Sequence, residues 1–77
     1  MRLGELLAIG RECKGMTLRQ LEKESGISNA LISQIETGKI KDPGFSTVVR
    51  LCEVLGIKIE RAAQTASLKV LKSMLRK

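Results

Sequence analysis

Residues 17–38, with the sequence TLRQLEKESGISNALISQIETG, constrain the fold of this 77-residue chain more than any other stretch. Two short helical patterns lie on either side of Gly26, and each follows a residue type that caps helices, Thr17 and Ser28. Gln20 stands three residues after Thr17 and completes a capping box, while Gly26 allows the positive φ of a tight turn. This layout is typical of a helix-turn-helix, whose second helix can enter the major groove of DNA.

Hydrophobic periodicity predicts an all-α domain, because apolar residues recur every three to four positions and β-branched runs are scarce. We expect five helices, at about Leu3–Lys14, Leu18–Ser25, Asn29–Thr37, Phe45–Leu55 and Ile57–Lys77. Phe45 is the one aromatic residue of the chain, and we expect it to anchor the core. Gly10, inside the first helix, predicts the close approach of another helix.

Composition excludes several classes of function. The chain has no His, and Cys13 and Cys52 lack CxxC spacing, so zinc-finger metal sites and His-based catalysis are excluded. No cofactor or small-molecule ligand is expected, and without a nucleophile–base pair or a phosphate-binding glycine loop no enzymatic activity is expected. Both cysteines fall on apolar helix faces, which predicts buried, reduced thiols in a cytoplasmic protein. The sequence has neither a secretory signal pattern nor an apolar run of transmembrane length.

The third helical pattern carries an unusual polar face opposite its apolar stripe. Its side chains are short or amides, whereas a solvated face is usually richer in Lys and Glu. Asn and Gln can pair bidentately with adenine, and small side chains let a helix lie deep in a groove, although a merely polar surface would look similar. The base-reading candidates are Asn29, Ala30, Ser33 and Gln34. Lys39 and Lys41 beside the end of this helix are placed for phosphate contacts or form a solvated loop pair.

The basic charge lies mainly in the C-terminal segment. Residues 1–57 carry eight Lys/Arg and seven Asp/Glu, whereas residues 58–77 carry six Lys/Arg and one Glu, and such an excess favours a polyanionic partner. A stripe formed by Leu68, Leu71 and Leu75 has nothing left to cover in a small monomer, which predicts a dimer or partner contact. A tail that folds back and buries this stripe is the alternative. We therefore place a DNA-binding domain at 1–63 and a helical extension at 64–77.

Three segments carry a family resemblance, namely GMTLRQLEKESGISNALISQIETGK, the loop that contains Pro43, and FSTVVRLCEVLGI. From Leu3 to about Ala63, in order and without large insertions, they resemble the Cro/lambda-repressor-like helix-turn-helix proteins, also called the XRE family. The resemblance implies a five-helix lambda-repressor-like domain. It also implies sequence-specific operator binding, normally by a homodimer.

The resemblance also implies roles for single residues. It assigns base reading to the four candidates above and a salt bridge between the first and third helices to Arg11 and Glu36. Phosphate contacts are implied for Thr17, Leu18, Arg19, Ser28, Lys39 and Lys41. Leu18 stands where the family often has a phosphate-binding Gln, so only its backbone contact carries over. Glu22 stands where the family usually has Ala, which predicts either a wider crossing of the two helices or a carboxylate that reaches solvent.

The sequence therefore predicts a DNA-binding transcriptional regulator, specifically a dimeric repressor that reads half-sites of a palindromic operator roughly 34 Å apart. The alternative is an antitoxin-type module, in which the C-terminal helix neutralises a partner protein and the core represses its own promoter. The leucine stripe fits both. A pure chain that sizes as a dimer favours the repressor, whereas dimerisation only with a co-encoded neighbour favours the antitoxin. A membrane partner is not expected, because the basic C-terminal segment lacks Trp and Phe.

Overall fold

The computed structural model describes residues 2–65, which form five α-helices and no strand. The helices are α1 (Leu3–Cys13), α2 (Leu18–Ser25), α3 (Asn29–Glu36), α4 (Phe45–Leu55) and α5 (Ile59–Thr65). The predicted all-α, five-helix architecture is confirmed over this range. Most of the predicted fifth helix and the leucine stripe of Leu68, Leu71 and Leu75 lie outside the described residues. None of the helices within residues 2–65 has the length and apolar character needed to cross a bilayer.

One apolar core joins all five helices. It consists of Leu3, Leu6, Leu7, Leu21, Ile32, Ile35, Val48, Leu51, Cys52, Leu55 and Ala62. The α3 residues Ile32 and Ile35 are 0% and 2% exposed, and burying a side chain of this size contributes about 1.5–3 kcal/mol to folding. A helix as short as α3 is marginally stable by itself. Because α3 supplies two of the most deeply buried side chains, packing against the core stabilises it and fixes its position.

The two glycines of α1, Gly4 and Gly10, lie against different kinds of neighbour. A β-carbon placed on Gly4 would overlap the carbonyl oxygen of Ile35 and lie 2.9 Å from that of Glu36, so α1 and the end of α3 are in backbone contact there. A β-carbon on Gly10 would lie 2.8 Å from Cδ1 of Ile57, in the connection between α4 and α5. The nearest neighbour at Gly10 is therefore a side chain of this connecting segment, and Cδ1 of Leu55, the last residue of α4, lies 3.7 Å away.

Two predictions of burial are wrong. Cys13 is exposed and Phe45 is 42% exposed, whereas Cys52 is buried as predicted. Cys13 is the last residue of α1, and Phe45 is the first residue of α4, one turn before Val48 enters the core. Helical periodicity assigns a residue to a face of the helix, but it does not give the distance that the core extends along the axis. Burial in the core raises the pKa of the Cys52 thiol.

Candidate nucleic-acid interface

Helices α2 and α3, which form the predicted helix-turn-helix, begin at the predicted N-caps. The Thr17 hydroxyl accepts from the Gln20 N–H at 3.1 Å, and the Gln20 side chain accepts from the Thr17 N–H at 2.7 Å. The Ser28 hydroxyl accepts from the Leu31 N–H at 3.2 Å at the start of α3. The first intrahelical donor of α2 is Leu21, whose N–H reaches the Thr17 carbonyl at 3.0 Å. The backbone N–H groups of Leu18 and Arg19 therefore point out of the helix end, where a phosphate oxygen could accept from them.

The turn between α2 and α3 is fixed by backbone conformation and by contacts. Gly26 adopts a φ of 78°, and its N–H donates to the Glu22 carbonyl at 2.8 Å. The buried Ser25 accepts from the Ile27 N–H through its hydroxyl at 3.1 Å and from Nε of Arg50 through its carbonyl at 3.0 Å. Arg50 therefore ties α4 to the turn, a role that the sequence did not predict.

The polar face of α3 lies opposite its buried isoleucines. Ala30 is exposed, while Asn29, Ser33 and Gln34 are half-buried. These four residues are spaced so that they share one helical face, since positions three and four apart are neighbours on a helix. With Ile32 and Ile35 in the core, this face is the outer surface of α3. The predicted base-reading residues thus form one surface that can approach another molecule.

Glu22 is hydrogen-bonded to α3, an arrangement that its sequence position does not predict. The side chain is half-buried, and its Oε1 accepts a hydrogen bond of 2.7 Å from Nδ2 of Asn29. The bond joins α2 to the first residue of α3 across the turn. The residue that interrupts the family pattern is therefore bound to one of the predicted base-reading residues.

Arg11 and Glu36 form a bidentate ion pair between α1 and the last residue of α3. The Arg11 Nε lies 2.8 Å from Oε2 of Glu36, and Nη2 lies 3.0 Å from Oε1. The remaining Nη1 donates to the Met16 carbonyl at 2.7 Å. Their side chains are only 15% and 10% exposed, and the hydrogen bonds to Glu36 raise the pKa of Arg11. This pair sets the end of α3 against α1.

The loop after α3 places its lysines on the surface. Gly38 reverses the chain with a φ of 85°, and the Ile40 N–H donates to the Gln34 carbonyl at 3.0 Å, so the loop stays against α3. Lys39 and Lys41 on either side of Ile40 are exposed.

The start of α1 adds a third cation beside this loop. Arg2 Nη1 lies 3.1 Å from the position of a β-carbon on Gly38, and Arg2 and Lys41 line one open hollow. The sequence pattern did not point to Arg2, because its neighbours lie far along the chain.

The remaining predicted phosphate contacts lie at the start of α2 and α3. Thr17, Arg19 and Ser28 are exposed, whereas the Leu18 side chain packs against the core. Leu18 therefore offers only its backbone N–H, as its departure from the family pattern predicts.

Comparison with known proteins gives consistent matches. A family model described as helix-turn-helix matches residues 7–61. The HTH-type transcriptional repressor RghR of Bacillus subtilis (strain 168) is 44% identical over 57 residues, covering 74% of this chain and 42% of that protein. The uncharacterized HTH-type transcriptional regulator RghRB of the same organism is 38% identical over 63 residues, covering 82% of this chain and 45% of that protein. The chain spans less than half the length of these relatives, and no solved structure gives a significant match.

Proposed function

Because the chain belongs to the helix-turn-helix family of DNA-binding transcriptional regulators, we propose that it represses transcription by binding a specific operator with α3 in the major groove. The observation that carries this proposal is the division of α3 into a buried face and a polar outer face without Lys or Glu among its four candidate residues. A helix fixed by the core from one side can present Asn29, Ala30, Ser33 and Gln34 to base edges with little freedom to adjust.

Phosphate contacts are proposed to supply most of the affinity and to set the position of α3 on the duplex. The exposed cations Lys39 and Lys41 on the loop, with Arg2 beside them, would bind one stretch of backbone. The N-terminus of α2, with the backbone N–H groups of Leu18 and Arg19, would bind another. Residues 2–57 carry a nearly balanced charge, so these few placed groups rather than a general basic surface would attract the DNA.

Asn29→Ala and Gln34→Ala are each expected to weaken specific binding by about 1–3 kcal/mol and to leave non-specific binding nearly unchanged. Both substitutions remove a base-edge partner without removing a charge. The two kinds of binding are measured by titrating two labelled duplexes at several salt concentrations. One carries a site selected from a random DNA pool, and the other carries a scrambled sequence. Lys39→Ala is the matched control, because losing a phosphate contact should weaken both duplexes alike and reduce the salt slope by about 1. Equal losses on both duplexes for the amide variants would contradict base reading.

Selection of bound sequences from a random DNA pool tests the function as a whole. We expect a consensus made of two inverted half-sites about one helical turn apart, since a two-fold dimer binds a site of matching symmetry. Enrichment of no sequence at all would contradict an operator-binding regulator. A single asymmetric half-site would retain the DNA-binding function and contradict the dimer.

Leu71→Glu is expected to shift the sedimentation mass from dimer toward monomer, because it places a charge in the leucine stripe that we propose as the dimer contact. Ser73→Glu introduces the same charge two residues away and outside the stripe, and should leave the mass unchanged. Both positions lie outside the described residues. An unchanged mass for Leu71→Glu would remove the stripe from the interface. A wild-type chain that is monomeric until a partner protein is added would favour the antitoxin-type alternative.

A further inference from the structure

We propose that Glu22 is a specificity-determining positioning residue, which holds the Asn29 carboxamide in one of its two orientations and so favours adenine over guanine at the base pair that Asn29 reads. The inference rests on the proposed function, because it requires α3 to lie in the major groove. It assigns to Glu22 a role that its position in α2 does not suggest.

The hydrogen bond across the turn carries the inference. Oε1 of Glu22 accepts from Nδ2 of Asn29 at 2.7 Å, and both side chains are half-buried between α2 and α3. An ionised carboxylate can only accept hydrogen bonds, whereas a carboxamide has a donating end and an accepting end of nearly equal shape. The carboxylate therefore decides which end of Asn29 faces α2 and which atoms remain for a ligand.

The atoms that remain suit adenine. Nδ2 has two hydrogens, of which Glu22 takes one, so Asn29 still offers one N–H and the oxygen Oδ1. Adenine presents one acceptor, N7, and one donor, N6, in the major groove, and a bidentate amide matches this pair. Guanine presents two acceptors, N7 and O6, which would need both hydrogens of Nδ2. With Glu22 in place, an amide contact to guanine would lose one of these two bonds.

The charge of Glu22 gives the inference a second, separable consequence. A carboxylate beside the groove helix is repelled by DNA phosphates, so its removal should strengthen binding to every duplex while weakening discrimination. A substitution that merely damaged the fold would weaken binding to every duplex. Loss of the Glu22 charge and damage to the fold therefore change the affinity for DNA in opposite directions. The family pattern places Ala at this position, which favours folding of the variant.

The test measures the ratio of affinities for two duplexes that differ by A·T or G·C at one base pair. That base pair is the position whose preference disappears in Asn29→Ala when the selected site is substituted one base pair at a time. For the wild-type chain we expect adenine to be preferred, and for Glu22→Ala we expect the ratio to fall about tenfold. In Asn29→Ala, adding Glu22→Ala should not change the ratio further, as expected for residues that act through each other.

Glu24→Ala and Glu22→Gln serve as controls. Glu24 is exposed two residues further along α2, so its removal takes away the same charge and should raise overall affinity without changing the ratio. Glu22→Gln keeps the size and one accepting oxygen, and should retain part of the ratio that Glu22→Ala loses. If Glu22→Ala fails to fold, as judged by thermal unfolding, Glu22→Met takes its place, because it fills the same space without an accepting oxygen. A wild-type ratio in Glu22→Met would overturn the inference.

Failure of the role of Glu22 and failure of the proposed function give different experimental results. An unchanged ratio in Glu22→Ala, when Asn29→Ala abolishes the preference, overturns the role of Glu22 and leaves the operator-binding function in place. If Asn29→Ala changes the preference at no base pair of the selected site, base reading by Asn29 fails and the inference fails with it.

Discussion

Glu36→Ala is expected to lower the free energy of unfolding by about 3 kcal/mol, because it removes one partner of a largely buried ion pair. The Arg11 guanidinium would keep its hydrogen bond to the Met16 carbonyl but lose both bonds to the carboxylate. The buried guanidinium cannot become neutral by losing its proton, since Arg remains charged at any pH at which the protein folds. At 15% exposure, its side chain has little access to water that could replace Glu36.

Urea unfolding followed by circular dichroism measures this loss. Glu12→Ala is the matched control, because Oε2 of Glu12 lies 4.0 Å from Nη2 of the same Arg11 but its side chain is 69% exposed. An exposed pair contributes little, so this variant should stay within about 0.5 kcal/mol of the wild type. Equal effects of Glu36→Ala and Glu12→Ala would show that the pair between α1 and α3 is no more stabilising than a surface pair.

The double substitution Arg11→Met with Glu36→Leu separates stability from orientation. Replacing both charges with apolar side chains of similar volume is often neutral or stabilising, so we expect a free energy of unfolding within about 1 kcal/mol of the wild type. Operator affinity should nevertheless fall if the pair sets the end of α3 against α1. Wild-type affinity in the stable double variant would limit the pair to a structural role.

Gly4→Ala is expected to lower the free energy of unfolding by about 2–3 kcal/mol, although Ala favours helices over Gly by about 1 kcal/mol. The new β-carbon would overlap the Ile35 carbonyl oxygen and lie 2.9 Å from the Glu36 carbonyl oxygen. Both neighbours are backbone atoms of α3, which cannot rotate away as a side chain can. The helices would have to separate, and the Arg11–Glu36 pair between the same two helices would be strained with them.

Gly10→Ala on the same helix is the control for Gly4→Ala. Its new β-carbon would lie 2.8 Å from Cδ1 of Ile57, the far end of a flexible side chain, so we expect a change within about 1 kcal/mol in either direction. For a domain of this size a difference of 1 kcal/mol corresponds to about 4–8 °C in Tm, so thermal unfolding resolves the two variants. Equal Tm values would contradict the backbone contact at Gly4.

The features that the sequence predicted well are those that depend on near neighbours in the chain. The caps formed by Thr17 with Gln20 and by Ser28 span three residues, and the turn at Gly26 needs one backbone conformation. Such interactions are encoded locally, so spacing is enough to predict them. The all-α architecture followed from periodicity for the same reason.

The features that the sequence did not predict depend on how the helices pack. Gly4 matters only because the end of α3 crosses there, and Glu22 reaches Asn29 only when α2 and α3 are packed. The exposure of Cys13 and Phe45 depends on where the core ends along α1 and α4. Glu22 and Asn29 are only seven positions apart in the chain, but their contact, like the other features, needs the tertiary arrangement.

The division of α3 between core and outer surface has a consequence for changing the DNA sequence that the protein prefers. A combinatorial library at Ala30, Ser33 and Gln34 would vary the outer surface without altering Ile32 or Ile35, so most of its members should keep the wild-type thermal stability. Asn29 would have to be randomised together with Glu22, since residues in contact do not contribute independently. New preferences could thus be selected in a pool of folded proteins, with one hydrogen-bonded pair and three further positions as the variables.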